Sequence, residues 1–446
     1  MKTDNVLTPA RVLVLGFALV ILTGAILLTL PVATVNGQGL SFLEAVFTAT
    51  SATCVTGLVV VDTGTTFTLF GQLVVLSLIQ IGGLGFMTFA TLFVILLGRK
   101  VSLKERLLLQ EALNQGSIQG VVRLAKYVVQ ISFAIEALGA LLLSLRWASD
   151  LGWKKAIYYG IFHSVSAFNN AGFDLFGEFR SITGYVGDVT VNLVIASLII
   201  IGGIGFTVIS DVYSHKARWS QLSLHSRVVI LTSGILILVG TIVIYLLEFT
   251  NTLTLGSMNS GTRVLASFFQ AVTPRTAGYN TLNLTDLRDT TLLFIILLMF
   301  IGASPVSTGG GIKTTSLVSV FLSVISTFRG NEHVTFGERT IPRDVIQKSI
   351  ALIFFAIVLV FTVTSILTIT EDADLLTLLF ETTSAFGTVG LSLGFTPNLS
   401  TIGRVAIIMT MFFGRVGPLT IAFAIAQKSK AKQVKIKYPD EKLIIG

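Results

Sequence analysis

A pattern that returns four times along the chain constrains its fold more than any other feature of the sequence. Each copy ends in a glycine, and the four glycines, Gly57, Gly172, Gly278 and Gly390, lie 115, 106 and 112 residues apart. A Phe lies ten residues before each glycine, and an apolar or aromatic residue follows it. Three copies also carry a Ser six residues before the glycine, whereas the third copy carries Val272. Four copies in register indicate an internal fourfold repeat.

The composition places this repeat in a membrane. Of the 446 residues, 52% are hydrophobic and only 12% are charged, which is about half the charged share of a typical soluble domain. The net charge is +8, and the basic residues cluster in particular loops, so the excess indicates membrane topology rather than nucleic-acid binding. The single cysteine, Cys54, excludes an intrachain disulfide and a cysteine-based metal cluster.

Each repeat predicts a long apolar helix, a shorter semi-polar helix that ends near the glycine, and a second long apolar helix. The long helices have about the 20 residues that a span requires, whereas the shorter one has about half that length and must enter and return on one side. The expected first long helices are 11–32, 121–145, 228–249 and 345–369, and the second are 71–97, 189–212, 290–328 and 403–426. The predicted fold class is all-α integral membrane. Four tandem M1-P-M2 (helix–re-entrant pore loop–helix) repeats would place eight transmembrane helices around one pseudo-fourfold pore, as in a K⁺ channel.

The repeats and the charged loops define the expected organisation of the chain. We expect repeats at 1–110, 111–224, 225–344 and 345–426, the third with a broken inner helix, and a basic cytoplasmic tail at 427–446. Clusters of Lys and Arg follow each repeat on the side of the N-terminus, while acidic residues at 371–374 lie on the other side. By the positive-inside rule, both termini are cytoplasmic, the re-entrant loops open outward, and the chain crosses the cell (plasma) membrane several times.

The residues around the four glycines predict a cation-selective filter. A re-entrant helix directs the partial negative charge of its C-terminus at the membrane centre, and a glycine at positive φ lets consecutive carbonyls face the axis. The loops offer carbonyls and hydroxyls without a ring of carboxylates, which suits a monovalent cation better than Ca²⁺. Ordinary packing glycines are the alternative, which the fourfold register disfavours. The predicted filter residues, whose backbone carbonyls would bind the cation, are Thr53, Cys54, Val55, Thr56, Gly57, Asn169, Asn170, Ala171, Gly172, Arg275, Thr276, Ala277, Gly278, Gly387, Thr388, Val389 and Gly390.

The second long helices carry further glycines, and the third of these helices is interrupted. The sequences IGGLGF at 81–86 and IGGIGF at 201–206 indicate close packing or bending of the inner helices. In the third helix, Pro305 and three consecutive glycines cannot continue a helix, and broken backbone at membrane depth must be buried in protein or border water. We interpret this segment as a gate below the filter, with a plain structural kink as the alternative. The predicted gate residues are Gly302, Ala303, Ser304, Pro305, Ser307, Thr308, Gly309, Gly310, Gly311, Lys313 and, on the last inner helix, Arg415.

Charged side chains inside apolar segments need partners or a function. We expect Arg415 to face the pore below the filter, to contact the glycine-rich loop and to raise the barrier to ion passage. We expect Arg275, in the third filter loop, to brace that loop by bonding to buried carbonyls or to a carboxylate such as Glu381 or Glu44. We expect Glu136 to make an interhelical hydrogen bond rather than to line the pore.

The loops SAFNNAGF and VTPRTAG and the segment FIGASPVSTGGGIKTT, within four M1-P-M2 units with single-glycine filters, resemble the superfamily of K⁺ transporters that contains the Trk, Ktr and HKT proteins. The resemblance covers essentially the whole chain. It is nearest to the Ktr membrane subunit, of the KtrB or KtrD type, because Trk-type subunits usually carry extra helices before the first unit. The family's filter glycines map onto the four repeat glycines, its intramembrane gate onto 302–315, and its inner-helix arginine onto Arg415.

The resemblance also implies a transported ion and partners. It implies K⁺ as the transported ion, often with Na⁺ as an activator, and a homodimer with one K⁺ pathway per subunit in the membrane lipid. It further implies docking on a cytoplasmic octameric ring of RCK-domain regulatory subunits, of the KtrA or KtrC type, which bind ATP or ADP. None of the four loops contains the K⁺-channel sequence TVGYG, so we expect fewer carbonyl sites and weaker K⁺/Na⁺ discrimination.

Two other classes of protein fit the sequence less well. The residues alone support a gated monovalent-cation pore, and the main alternative is an alternating-access cation symporter that uses the broken third inner helix. An intramembrane enzyme would need a nucleophile–base pair or metal ligands at membrane depth, where His163 is the only histidine and is expected to be a packing residue. We therefore predict a transport protein that is not an enzyme, has no covalent cofactor and binds no nucleic acid.

Overall fold

The computed structural model describes residues 9–85, 87–88, 91, 95, 101, 103–112 and 119–417, and these residues are mainly helical with almost no strand. The α-helices are α1 Pro9–Leu28, α2 Phe42–Thr53, α3 Thr63–Thr66, α4 Leu69–Leu84, α5 Leu103–Ala112, α6 Val121–Leu151, α7 Trp153–Phe168, α8 Val189–Ile204, α9 Phe206–Ser214, α10 Leu224–Glu248, α11 Ser260–Val272, α12 Asp289–Phe300, α13 Thr314–Phe328, α14 Arg343–Thr370, α15 Leu375–Gly387 and α16 Thr401–Val416. Short 3₁₀ helices lie at Pro31–Ala33, Thr183–Tyr185, Trp219–Gln221, Leu255–Ser257, Leu284–Asp286 and Thr396–Asn398. Strands β1 Thr335–Phe336 and β2 Arg339–Thr340 form an antiparallel pair.

The helices fall into four similar groups of a long, a short and a third helix. The groups are α1–α2–α4, α6–α7–α8, α10–α11–α12 and α14–α15–α16, and within each group the short helix packs on the long helix. Local sequence fixes where the short helices begin. Ser41 and Glu44 form a capping box on α2, while Asn259 and Asp374 cap α11 and α15 with their side chains. Each short helix has 12 to 16 residues, too few to cross a bilayer.

The four groups close into a ring. Each short helix also packs against the third helix of the preceding group: α7 on α4, α11 on α8, α15 on α12 and, across the closure, α2 on α16. Within a group, glycines also bring the third helix close to the short helix, since a Cβ at Gly82, Gly202 or Gly414 would collide with the carbonyl of Thr53, Phe168 or Phe386 at the end of the same group's short helix. The third helices therefore lie directly against the backbone from which the loops with the repeat glycines leave.

The third helices end or bend at glycines. Gly85, Gly205 and Gly417 adopt φ values of 82°, 102° and 88° directly after α4, α8 and α16. The predicted helix 189–212 is bent, because α8 and α9 meet at Gly205 at an angle of 92°, in agreement with the bending that the sequence IGGIGF indicates. In the third group, α12 ends at Phe300 and α13 begins at Thr314, so residues 301–313 form the interruption that the sequence indicates.

Apolar helices of sufficient length support a membrane location. Among the described residues, four helices are long and apolar enough to span a bilayer: Ala10–Leu28, Val121–Leu151, Leu224–Glu248 and Arg343–Thr370, or five if the bent α8–α9 pair is one span. The third helices have only 12 to 16 described residues, so the eight predicted spans stay a prediction. The predicted extensions to residues 97 and 426 and the tail at 427–446 lie mostly or wholly outside the described residues.

Candidate functional site

The four repeat glycines meet at the centre of the ring. A Cβ on Gly57 would lie 2.5 Å from the carbonyl oxygen of Ala171, one on Gly172 would lie 2.7 Å from that of Ala277, and one on Gly278 would lie 2.5 Å from that of Val389. A Cβ on Gly390 would likewise meet the carbonyl oxygen of Thr56, and this contact completes the ring. Each glycine thus faces the carbonyl that precedes the next glycine. A side chain at any of the four would fill the space between neighbouring loops.

The backbone of the four loops alternates in handedness. The repeat glycines have φ values of 91°, 69°, 81° and 90°, and the residues two positions earlier are also left-handed, at 50° to 69°. A left-handed residue at every second position turns successive carbonyls to the same side of the chain, which is how backbone oxygens line an ion path. Such a conformation costs about 1–3 kcal/mol at a non-glycine residue and concentrates at functional sites. These four residues are Val55, Asn170, Thr276 and Thr388.

Hydroxyl groups from the short helices hold the loops in this shape. The Ser51 Oγ accepts a hydrogen bond from the Gly57 N–H at 3.1 Å, and Ser384 does the same for Gly390 at 3.1 Å. Ser166 instead donates to the carbonyl of Phe173 at 2.9 Å. In the third loop Thr273, adjacent to Val272, donates to the carbonyl of Tyr279. The recurring Ser of the sequence pattern therefore fastens three of the four glycine loops to their helices, and Thr273 takes this role in the third loop.

Glu136 connects the first two groups through a buried hydrogen-bond network. The Gln80 Nε2 donates to both Glu136 carboxylate oxygens at 2.9 and 3.1 Å, and the Asn169 Nδ2 donates to one of them at 3.0 Å. The same Asn169 amide donates to the Gln80 Oε1 at 2.8 Å. The interhelical role expected for Glu136 agrees with this geometry. Sequence reasoning missed Gln80 as a partner, because it lies 56 residues from Glu136 and carries no motif.

Arg275 does not make the contacts expected from the sequence. Glu44 accepts hydrogen bonds from Ser41 and lies 3.5 Å from Arg404, and Glu381 accepts from Ser392 and Thr396. Neither carboxylate pairs with Arg275, so the predicted brace through Glu381 or Glu44 is wrong. Among the described residues no hydrogen bond or ion pair reaches the Arg275 guanidinium, although only 7% of the residue is exposed.

The interrupted segment 301–313, called here the glycine-rich loop, lies against the filter loops. The Thr308 Oγ1 donates to the Asn170 Oδ1 at 3.0 Å, and the Gly310 N–H donates to the Thr388 Oγ1 at 3.0 Å. Gly309 leaves room for the hydroxyl of Thr276. The glycine-rich loop therefore contacts three of the four left-handed residues that precede the repeat glycines.

The glycine-rich loop is also tied to the third helices and to itself. The Ser304 N–H donates to the carbonyl of Gly203 at 3.0 Å, and the Gly311 N–H donates to that of Gly414 at 3.3 Å. The Ser304 hydroxyl bonds to that of Thr314 at the start of α13, the Ser307 hydroxyl donates to the carbonyl of Ser304, and the carbonyl of Pro305 lies in the space beside Gly205. The Lys313 Nζ donates to the carbonyl of Gly309 at 2.8 Å. Gly302 packs on Gly310, and Ala303 accepts a hydrogen bond from the Thr314 N–H.

Arg415 reaches the glycine-rich loop from the last helix. Its guanidinium donates to the carbonyls of Thr308 and Gly82, and to that of Gly83 at 3.1 Å. It thereby places a positive charge directly beside the loop and joins the loop to the first group.

His163 is a packing residue in the structure. Its Nδ1 lies 2.7 Å from the carbonyl of Tyr159, its Nε2 accepts from the Leu175 N–H at 3.3 Å, and its ring packs against Trp147. No group of three or more His, Cys, Asp and Glu side chains could hold a metal ion within the described part of the chain.

Comparison with known proteins decides the family. The family model of TrkH, described as a cation transport protein, matches residues 5–435. The chain belongs to the TrkH family. The resemblance read from the sequence is thus confirmed, and with its apolar helices the chain is a multi-pass membrane protein of the cell membrane.

Individual relatives match over nearly their whole length. The Ktr system potassium uptake protein B of Bacillus subtilis (strain 168) is 48% identical over 439 residues, covering 98% of this chain and 97% of the relative. The potassium/sodium uptake protein NtpJ of Enterococcus hirae is 37% identical over 444 residues, covering 99% and 98%. The crystal structure of the potassium transporter TrkH from Vibrio parahaemolyticus matches with a TM-score of 0.75 at 18% identity, covering 96% of this chain and 87% of that chain, which shows a shared fold.

Proposed function

We propose that this chain is the ion-translocating membrane subunit of a K⁺ uptake system. The observation that carries the proposal is the closed ring of Gly57, Gly172, Gly278 and Gly390, each against the carbonyl before the next glycine. K⁺ passes through the centre of this ring, where backbone carbonyls replace part of its hydration shell. The four groups are M1-P-M2 repeats, and their short helices are re-entrant pore helices whose C-termini favour a cation.

The choice of K⁺ rests on relatives and on the chemistry of the loops. Two relatives are named for potassium uptake, one of them for potassium and sodium. The loops present carbonyls and hydroxyls, and no carboxylate belongs to the filter segments named above, as a monovalent cation requires. Na⁺ acts as an activator of uptake and, because K⁺/Na⁺ discrimination is weak, also competes for the filter.

The glycine-rich loop is the gate of this pathway. It has neither helix nor strand, it touches three filter loops, and Arg415 holds it from below. Opening requires the loop to leave these contacts. Two copies of the chain form a homodimer, both termini are cytoplasmic, and an octameric ring of nucleotide-binding RCK subunits controls the loop from that side.

A second candidate function is an alternating-access cation symporter. The 92° bend between α8 and α9 favours it, because it adds a discontinuous helix to the broken α12–α13 segment. Such carriers bind their ion between two rocking halves. The four equivalent loops in one ring favour the pore instead, since a rocking motion would separate them.

The test is K⁺ uptake into cells that lack their own uptake systems, with and without the regulatory ring. Gly278→Ser places a side chain against the carbonyl of Val389, and we expect it to weaken the apparent K⁺ affinity severalfold. Gly394→Ser is the matched control, because Gly394 also has a positive φ, 83°, but a Cβ there meets open space. Equal uptake by both variants and the wild type would refute the filter assignment. Failure of the wild type to move K⁺ with its regulator present would favour the symporter.

A further inference from the structure

Arg275 is a buried cation at the edge of the filter, and it has no partner among the residues that the structure describes. The residue is 7% exposed, and no described residue bonds to its guanidinium. A cavity of ≈ 10 Å³ lies beside it, lined by Ile199, Ile200, Gly203 and Val272. A buried charge is ordinarily paired or hydrogen-bonded because its desolvation is costly. The environment of Arg275 therefore calls for a functional explanation.

The second group shows what a satisfied residue at this position looks like. Asn169 and Arg275 both lie three residues before their filter glycine, and both face a glycine of the preceding third helix, Gly83 and Gly203 respectively. Asn169 bonds to Gln80 and Glu136. The site of Arg275 has the same architecture but not the same chemistry.

Around Arg275, the positions equivalent to Gln80 and Glu136 are occupied by apolar residues. Gln80 lies two residues before Gly82, and the residue two before Gly202 is Ile200, which lines the cavity. Gly139 packs on Leu198 and Gly240 packs on Leu298, which makes these two glycines equivalent. Glu136 lies three residues before Gly139, and Ile237 lies three residues before Gly240. The second group thus has a carboxylate, Glu136, at the position where the third group, which contains Arg275, has Ile237.

The position of Arg275 relative to α11 gives its charge a definite effect. It lies three residues beyond Val272, where α11 ends, and Val272 lines the same cavity. The C-terminus of a helix carries about half a negative elementary charge. Arg275 offsets that charge. The other three short helices end beside neutral residues at the same position, Cys54, Asn169 and Gly387.

We propose that Arg275 is a specificity-determining residue of the filter, an unpaired fixed positive charge that weakens cation binding at the third loop and speeds ion release. The inference rests on the proposed cation pathway. Conduction needs sites that bind strongly enough to admit an ion and weakly enough to release it. The C-termini of three short helices attract the cation. The positive charge of Arg275 near the C-terminus of α11 opposes this attraction, so that the ion is released.

The test measures K⁺ binding to the purified full-length protein by titration calorimetry, together with the KM and maximal rate of uptake in cells. Arg275→Gln is expected to tighten K⁺ binding by about tenfold, because removal of a nearby unit charge lowers the repulsion, and to lower KM and maximal rate together. Arg275→Lys keeps the charge and should behave as the wild type. Arg404→Gln removes a cation that is paired with Glu44 at 3.5 Å, and it should leave K⁺ binding unchanged.

A second variant keeps the proposal testable if Arg275→Gln does not fold. Ile237→Glu supplies the acid that the second group has in Glu136, and it should tighten K⁺ binding in the same direction while Arg275 stays in place. Unchanged or weaker K⁺ binding in both Arg275→Gln and Ile237→Glu would overturn the proposal, as would equal losses in Arg275→Gln and Arg275→Lys. A wild type that neither binds nor takes up K⁺ would instead refute the proposed function.

Discussion

Arg415 donates a hydrogen bond to the carbonyl of Thr308 across 107 residues of sequence. The same guanidinium bonds to the carbonyls of Gly82 and Gly83. One side chain therefore fastens the glycine-rich loop of the third group to the first and fourth groups. Any movement of the loop away from the filter must first break this contact.

Replacing Arg415 by Gln should release the glycine-rich loop. A hydrogen bond to a charged group contributes about 1.5–3 kcal/mol, and about 1.4 kcal/mol changes an equilibrium tenfold. We expect Arg415→Gln to raise K⁺ uptake in the absence of the regulatory ring by about tenfold. Arg404→Gln on the same helix α16 is the control, because Arg404 bonds to Glu44 and to the carbonyls of Leu399 and Pro397 rather than to the loop. Identical regulator-free uptake in the two variants would contradict the role given to Arg415.

Removing the hydroxyl of Thr388 should loosen the glycine-rich loop from the filter side. Thr388→Ala leaves the buried Gly310 N–H without its acceptor, at a cost of about 1–3 kcal/mol. We expect faster deuterium uptake in peptides covering residues 308–313, measured by mass spectrometry, and higher regulator-free K⁺ uptake. Thr388→Ser keeps the hydroxyl and should exchange as the wild type does. Slow exchange in both variants would show that this hydrogen bond does not hold the loop.

The N-terminus of the fourth short helix should depend on pH through Asp374. Hydrogen bonds from the Thr377 hydroxyl and N–H hold the pKa of Asp374 below its ordinary value. Because the folded pKa is lowered, the ionised carboxylate stabilises the fold above about pH 4. That contribution disappears as the pH falls through the folded pKa. We expect Asp374→Ala to reduce the stability by about 1 kcal/mol at pH 7, measured by thermal unfolding.

The control for this prediction keeps the cap and removes the charge. Asp374→Asn can still accept from the Thr377 N–H, so most of the stability at pH 7 should remain while the acid-dependent part is lost. A difference between wild type and Asp374→Ala that stays constant from pH 7 to pH 3 would be incompatible with a cap that acts through the carboxylate.

Much of the site could be read from the sequence because the repeat is local and in register. The position of each glycine, the length of each short helix and the break after Phe300 all follow from short segments. The left-handed conformation of Val55 and Thr388 could not be foreseen, because β-branched residues avoid it when only local sterics act. Closure of the ring imposes it. The sequence IGGIGF indicates packing or bending at 201–206, but the size of the bend at Gly205 depends on a distant contact, because Phe206 donates its N–H to the carbonyl of Val306, a residue of the glycine-rich loop.

The sequence by itself determined a fourfold membrane repeat with a glycine at the end of each short helix, since composition, segment length and register are properties of neighbouring residues. Only the tertiary structure decided which side chains meet between groups. It pairs Asn169 with Glu136 and Arg415 with Thr308, and within the described part of the chain it gives the Arg275 guanidinium no partner. The physical reason is that these contacts join residues far apart in the chain, whose distance is set by how the helices pack and not by any local pattern.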